Sequence, residues 1–257
     1  MSSDRRTRPP DRGAPLTGAR WLCAAALPFL TAACSLDTSS TTTTTLPPST
    51  QVVLVGDSLA EQAAQYLPAL LPGREFVGRY FGGTAPCDWL ENDLQPAATA
   101  TVVLSFTGNS MTPCMADGAG GYLAGQAMVQ RYHDDLVLLI DRAHGAGARV
   151  LLVGQPTRPD DAGRTAVDAL NTMLLALSSE RSAQFVDAGA AVERPDGSFA
   201  TTLPCLPDEP ECPASGEIAV RNDDGLHFCP GSMGAGPCAT YSSGAFRFAA
   251  TIAAVIT

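Results

Sequence analysis

The chain has 257 residues, with 26 acidic side chains against 16 basic ones and a formal net charge of −10. That length accommodates one large domain plus an export segment and is too short for two full-sized domains with linkers. The acidic balance, with no lysine anywhere, excludes nucleic acid as an expected partner, because phosphate backbones are bound by an excess of basic side chains.

Five arginines (Arg5, Arg6, Arg8, Arg12, Arg20) precede an apolar run over residues 21–33 that is broken only by Pro28 and Thr31. Basic residues followed by a short apolar stretch form the pattern of a bacterial export signal. As a helix the run covers roughly 20 Å, short of the roughly 30 Å hydrocarbon core, so a permanent span is the weaker reading. Thr31-Ala32-Ala33-Cys34 looks like a lipobox whose aliphatic residue, Leu30, sits one place early; lipidation at Cys34, giving a membrane anchor, and plain cleavage both stay open. The signal with its lipobox thus spans 1–34. Residues 1–33 hold five arginines and two aspartates, so their loss takes the charge from −10 to −13. Residues 35–50 (SLDTSSTTTTTLPPST) are nearly all Ser, Thr and Pro, which predicts an extended tether. A folded domain over 51–257 follows. The chain is expected to be exported, as a cell-surface lipoprotein or a secreted protein.

Within that domain, apolar β-branched runs at 52–55, 75–80, 101–106, 149–154 and 184–187 predict buried parallel strands. Segments 59–71, 121–146, 163–180 and 242–256 predict helices. In the second, Val129, Tyr132, Leu136, Leu139 and Ala143 recur every three or four residues and form one apolar stripe. Alternating strands and helices predict an α/β fold, a three-layer α/β/α sandwich on a mainly parallel sheet. Residues 203–240 are rich in Pro, Gly, Asp and Cys and predict an irregular, stapled excursion. Outside the signal segment lie six cysteines, an even number that favours disulfides in an exported chain. Six cysteines allow fifteen pairings; the close neighbours Cys205 with Cys212 and Cys229 with Cys238 leave Cys87 with Cys114. No Cys-x-x-Cys pair is present, so neither a metal nor another cofactor is expected.

Chemistry concentrates at two places. Gly56-Asp57-Ser58 follows the first strand and opens the first helix, which puts the serine hydroxyl at the carboxyl end of the sheet, where open α/β sheets bind ligands. A simple helix cap by Asp57 or Ser58 is the bland alternative. Near the other end, Asp224 stands three residues before His227; a carboxylate there can hold the imidazole Nδ1–H and leave Nε2 for a serine. The bland alternative is a surface turn with an ordinary histidine. His133 and His144 lie on the long helix and read as structural.

Gly56-Asp57-Ser58, Gly82-Gly83, Gly108-Asn109 and Asp224-x-x-His227 resemble, in order, the four sequence blocks of SGNH/GDSL-type hydrolases. The resemblance implies a flavodoxin-like sandwich with Ser58 as nucleophile, His227 as base and Asp224 as its orienter. It implies an oxyanion hole built from the backbone N–H of Ser58, that of Gly82 or Gly83, and the side-chain amide of Asn109. The glycine directly before Asn109 departs from the family's Gly-x-Asn. Cys87 and Cys114 follow the two loops that would supply these donors. Arg221-x-Asp-Asp-Gly-x-His-Phe also resembles SGNH domains paired with membrane acyltransferases, which here would be a separate protein; Arg221 is expected to pair with Asp223 or Asp224, with contact to substrate as the alternative. Phe81 and Trp89, beside the glycine loop, are candidates for lining a pocket, with ordinary packing as the equal alternative. The expected activity is cleavage of small, acetyl-type O-acyl esters on an envelope glycan or a small ester substrate. Acyl transfer to a sugar hydroxyl and a non-catalytic binding module are the alternatives.

Overall fold

Val52 and Leu54 face one side of the first strand and Val53 and Val55 the other, and all four are buried. A strand apolar on both faces must lie inside a sheet that is covered on both sides. In the computed structural model this strand, β1 (Gln51–Gly56), is the second of five parallel strands. Its companions are β2 (Glu75–Tyr80), β3 (Thr101–Ser105), β4 (Arg149–Val153) and β5 (Gln184–Val186). The order β2-β1-β3-β4-β5 is the flavodoxin-like winding. The structure describes residues 50–256 apart from 93 and 232–235; the expected signal, Cys34 and residues 35–49 of the tether lie outside them.

Helices α1 (Ser58–Ala64), α2 (Leu67–Leu70) and α5 (Ser243–Ile256) cover the face that carries Val52, Leu54, Val103 and Leu151. Helices α3 (Gly125–Gly145) and α4 (Asp161–Glu180) cover the face of Val53, Val55, Leu104 and Leu152. The stripe of Val129, Tyr132, Leu136, Leu139 and Ala143 is the buried face of α3. Each Val or Leu of this stripe contributes about 1.5–3 kcal/mol on burial. Among the described residues no helix is long and apolar enough to cross a membrane.

Three differences from the sequence expectations stand out. The helix expected over 59–71 breaks after Ala64, and Pro68 sits in the first turn of a new one, where its missing N–H costs nothing. The long helix starts at Gly125 and not 121, because Ala116 and Tyr122 form a β-bridge. The excursion over 203–240 is not wholly irregular: β6 (Thr202–Pro204) and β7 (Glu217–Ala219) pair antiparallel across it. The disulfides are Cys87–Cys114, Cys205–Cys212 and Cys229–Cys238.

Candidate active site

The turn that carries Ser58 is held by contact with the neighbouring strand. A Cβ on Gly56 would lie 2.2 Å from the Ser105 carbonyl oxygen and 2.5 Å from Ala60 Cβ, so only glycine lets β1 turn this close to β3. Asp57 then adopts an extended conformation and caps α1, its Oδ1 accepting from Leu59 N at 3.2 Å. Ser58, 4% exposed, is the first residue of the helix. Its backbone N–H belongs to the first turn, which has no intrahelical acceptor. The other oxygen of Asp57 accepts three hydrogen bonds, from Thr107 N (2.6 Å), Thr107 Oγ1 (2.7 Å) and Asn109 Nδ2 (2.8 Å). Complete burial pushes the Asp57 carboxyl up to about 6, against the pull of the Thr107 and Leu59 hydrogen bonds and of His227.

Two hydrogen bonds close the opposing turn, Gly225 N to Asn222 O (3.0 Å) and Asn222 N to His227 O (2.7 Å). Asp224 Oδ1 accepts from Leu226 N (2.8 Å) and His227 N (2.9 Å), which frees Oδ2 for His227 Nδ1 at 2.6 Å. Partial burial works to raise the Asp224 carboxyl, and the bonds from the His227 ring, Leu226 N and His227 N together hold it below the usual range. With Nδ1–H donated to Asp224, Nε2 is the acceptor for Ser58 Oγ, 3.0 Å away. Gly225 has φ +69°, and a Cβ there would come within 2.6 Å of Pro159 Cγ.

One contact that the sequence motifs did not announce joins the two halves. Gln62, one turn after Ser58 on α1, is wholly buried, and its Oε1 accepts from Phe228 N at 2.8 Å. The i, i+4 spacing puts Ser58 and Gln62 on one helix face, and this is the signal that could have found it. Ser242 Oγ donates to Phe228 O at 2.8 Å from the other side.

The structure brings the other candidate residues to the same end of the sheet and alters some of their expected partners. Phe81, Gly82, Gly83 and Thr84 form a turn closed by Thr84 N to Phe81 O (3.3 Å), and among the described residues the Gly82 and Gly83 N–H groups have no acceptor. Asn109 is less open: its Nδ2 carries two hydrogens, and Asp57 Oδ2 at 2.8 Å and Thr84 O at 3.3 Å accept them. A buried carboxylate needs donors, and Asn109 supplies one. The Cys87–Cys114 bond spans these loops, and Asp88 bridges them again, accepting from Ala85 N (2.8 Å) and Thr112 Oγ1 (2.6 Å). Among the described residues the one group of metal-ligating types is Cys87, Asp88 and Cys114, whose sulfurs are bonded to each other. Trp89 donates its indole N–H to Thr84 Oγ1 at 3.2 Å, supporting the glycine turn, while Phe81 stands 69% exposed beside it. His133 lies between Asp134 and Glu180, and His144 in the last turn of α3. Arg221 pairs with neither Asp223 nor Asp224, contrary to expectation; its guanidinium nitrogens are buried and have no hydrogen-bond partner among the described residues.

A serine, an imidazole and a carboxylate in hydrogen-bonded sequence at the carboxyl end of a 2-1-3-4-5 sheet define a protein of the SGNH-hydrolase fold. The chain belongs to the family described as "Protein of unknown function (DUF459)", which matches residues 86–234, a span that includes Asn109, Asp224 and His227 but not Ser58. No curated protein matches the chain. Among solved structures it is similar to an SGNH hydrolase from Slackia heliotrinireducens, with 15% identity over 81% of this chain and 100% of that one and a TM-score of 0.53. It is also similar to an acylhydrolase from Bacteroides fragilis (19% identity, 82% and 90% coverage, TM-score 0.49) and a GDSL-like lipase from Bacteroides thetaiotaomicron (14%, 80% and 85%, 0.45). At such identities what is shared is the fold.

Proposed function

We propose that the chain is an exported serine esterase that removes small, acetyl-type acyl groups from hydroxyls of a cell-envelope glycan through an acyl-enzyme on Ser58. The observation that carries this reading is the line Ser58 Oγ, His227 Nε2, His227 Nδ1, Asp224 Oδ2, with links of 3.0 and 2.6 Å. As Oγ attacks the ester carbon, Nε2 takes its proton, and Asp224 stabilises the imidazolium that forms. The tetrahedral oxygen is met by the N–H of Ser58 and of Gly82 or Gly83, each such donor lowering the barrier by roughly 3 kcal/mol. Asn109 serves this hole first by fixing Asp57, and by its own amide only when the Thr84 contact is released. As the ester C–O bond breaks, the imidazolium gives its proton to the departing sugar oxygen, which leaves as the hydroxyl; water, activated by the same base, then cleaves the acyl-enzyme, releasing the acid and restoring the Ser58 hydroxyl. Phe81 on the glycine turn and the 82% exposed Met111, two residues after Asn109, offer apolar surface for the sugar ring or acyl methyl. The three disulfides and the export signal read from the sequence support action outside the cytoplasm.

The test is hydrolysis of p-nitrophenyl acetate and butyrate by the purified protein beside Ser58→Ala and His227→Ala. Both substitutions are expected to abolish turnover, with acetate preferred. Turnover that survives Ser58→Ala would refute the assignment. Adding sugar acceptors distinguishes hydrolysis from transfer, and a folded but inert protein points to a binding module.

A further inference from the structure

Arg221 opens the turn that carries Asp224 and His227, and its charge is left without a direct partner. The residue is 5% exposed, and Nε, Nη1 and Nη2 are all buried without a hydrogen bond among the described residues. Its guanidinium lies over the Phe228 ring, Cζ 4.9 Å from the centroid. Two carboxylates act on it, Glu193 and Asp224. Glu193, at the end of a short 3-10 turn over Gly189–Val192, is itself half-buried and accepts from Thr157 N at 2.6 Å; Asp187 and Asp168 act on it in turn. From the nucleophile turn, Asp57 faces His227.

Arg247, elsewhere in this domain, is bonded to Glu209 and Ser243, whereas Arg221 has no such partner among the described residues. A guanidinium taken out of water without hydrogen bonds weighs against the folded state. Burial draws its pKa down to about 9, so it is still charged at neutral pH. In such surroundings a charge acts over longer distances than it does in water.

Building on the esterase reading, we propose that Arg221 is a positioning residue: its buried charge, set near Glu193 and Asp224, holds Asp224 as the carboxylate and opposes proton uptake by His227, keeping the imidazole free as the base. It acts through its field, without touching substrate or serine.

Arg221→Met removes the charge and keeps an unbranched apolar chain against Phe228; Arg221→Lys keeps the charge. The imidazole of His227 is followed by NMR titration in each folded protein, assigned against His133 and His144 with His227→Gln, and the pH profile of kcat/KM on p-nitrophenyl acetate is recorded alongside. In Arg221→Met the His227 midpoint is expected to rise by about half a pH unit or more. The acid limb of the rate profile should move the same way, while thermal stability is no lower than that of the parent, since an unpaired buried charge has gone. Arg221→Lys should return both midpoints toward the parent. An unmoved His227 midpoint overturns the proposal. So does a Met variant that fails to fold, or that loses stability and activity together at every pH, because either result assigns Arg221 a packing role. The NMR titration needs no turnover, so an inert parent protein would overturn the esterase reading while still deciding whether Arg221 sets the protonation of His227.

Discussion

Replacing Cys87 and Cys114 by alanine separates what a disulfide does for the fold from what it does for the site. The bond joins positions 27 apart, and opening a loop of that size returns about 3.5 kcal/mol of conformational entropy to the denatured chain at 25 °C. The Cys205–Cys212 bond, with a separation of 7, is worth about 2.5 kcal/mol by the same reasoning. Urea unfolding of the two double variants should therefore show losses that differ by about 1 kcal/mol. Their effects on turnover should differ far more. The first bond lies between the Gly82–Gly83 turn and the loop of Asn109, so its removal loosens the segments that carry the proposed oxyanion donors. A drop in kcat of about tenfold or more corresponds to about 1.4 kcal/mol of lost transition-state stabilisation. The second bond spans the β6–β7 excursion, and its removal should leave kcat near the parent value at temperatures where the variant is folded. Equal kcat losses in the two variants, or none in the Cys87/Cys114 variant, would refute the reasoning.

Further outcomes are expected from the same contacts. Gln62→Met keeps the volume but strands the buried Phe228 N–H, so stability should fall by about 1–3 kcal/mol and kcat should fall more than KM changes, while Gln62→Glu, which keeps an acceptor, should retain more of both. Gly225→Ala combines a positive φ with a 2.6 Å approach to Pro159; kcat should fall at least tenfold, read in the same ester assay. Asp57 is protonated more readily in the folded chain than in the unfolded one, so between about pH 4 and pH 6 the native state binds the extra proton, and this group's contribution to stability is lost as pH rises through that window. Denaturant unfolding at pH 4 and pH 7 should show that the parent loses up to about 3 kcal/mol relative to Asp57→Asn over this interval.

The five strands were legible because parallel strands covered on both faces are written as short apolar runs with little competing pattern. The break after Ala64 was harder, since Leu59, Leu67 and Leu71 carry an apolar spacing straight through it, and only Pro68 marks the new start. The β6–β7 pair escaped because three-residue strands leave too few side chains to show alternation, and one of them ends in Pro204. At the site, Ser58, Asp224 and His227 could be paired because their chemistry is coded by residue type and local spacing. The engagement of Asn109 with Asp57 could not, since it depends on how deeply a neighbouring carboxylate is buried. The same limit explains Arg221: adjacency predicted a partner in Asp223 or Asp224, but Asp224 spends its oxygens on Leu226 N, His227 N and the His227 ring.

Ser58 and the nitrogen that would activate it are 169 residues apart along the chain. No fragment that ends before the last loop can hold both, and the loop itself is seated by α5 through Ser242 and the Phe228–Phe248 ring contact. Reactivity would thus arise late and all at once during maturation, when the carboxyl-terminal helix docks. A nick or truncation there should silence the hydroxyl outright while leaving most of the sheet in place. A chain of this design would carry its nucleophile unarmed through synthesis, and intactness of its far end would serve as the arming signal.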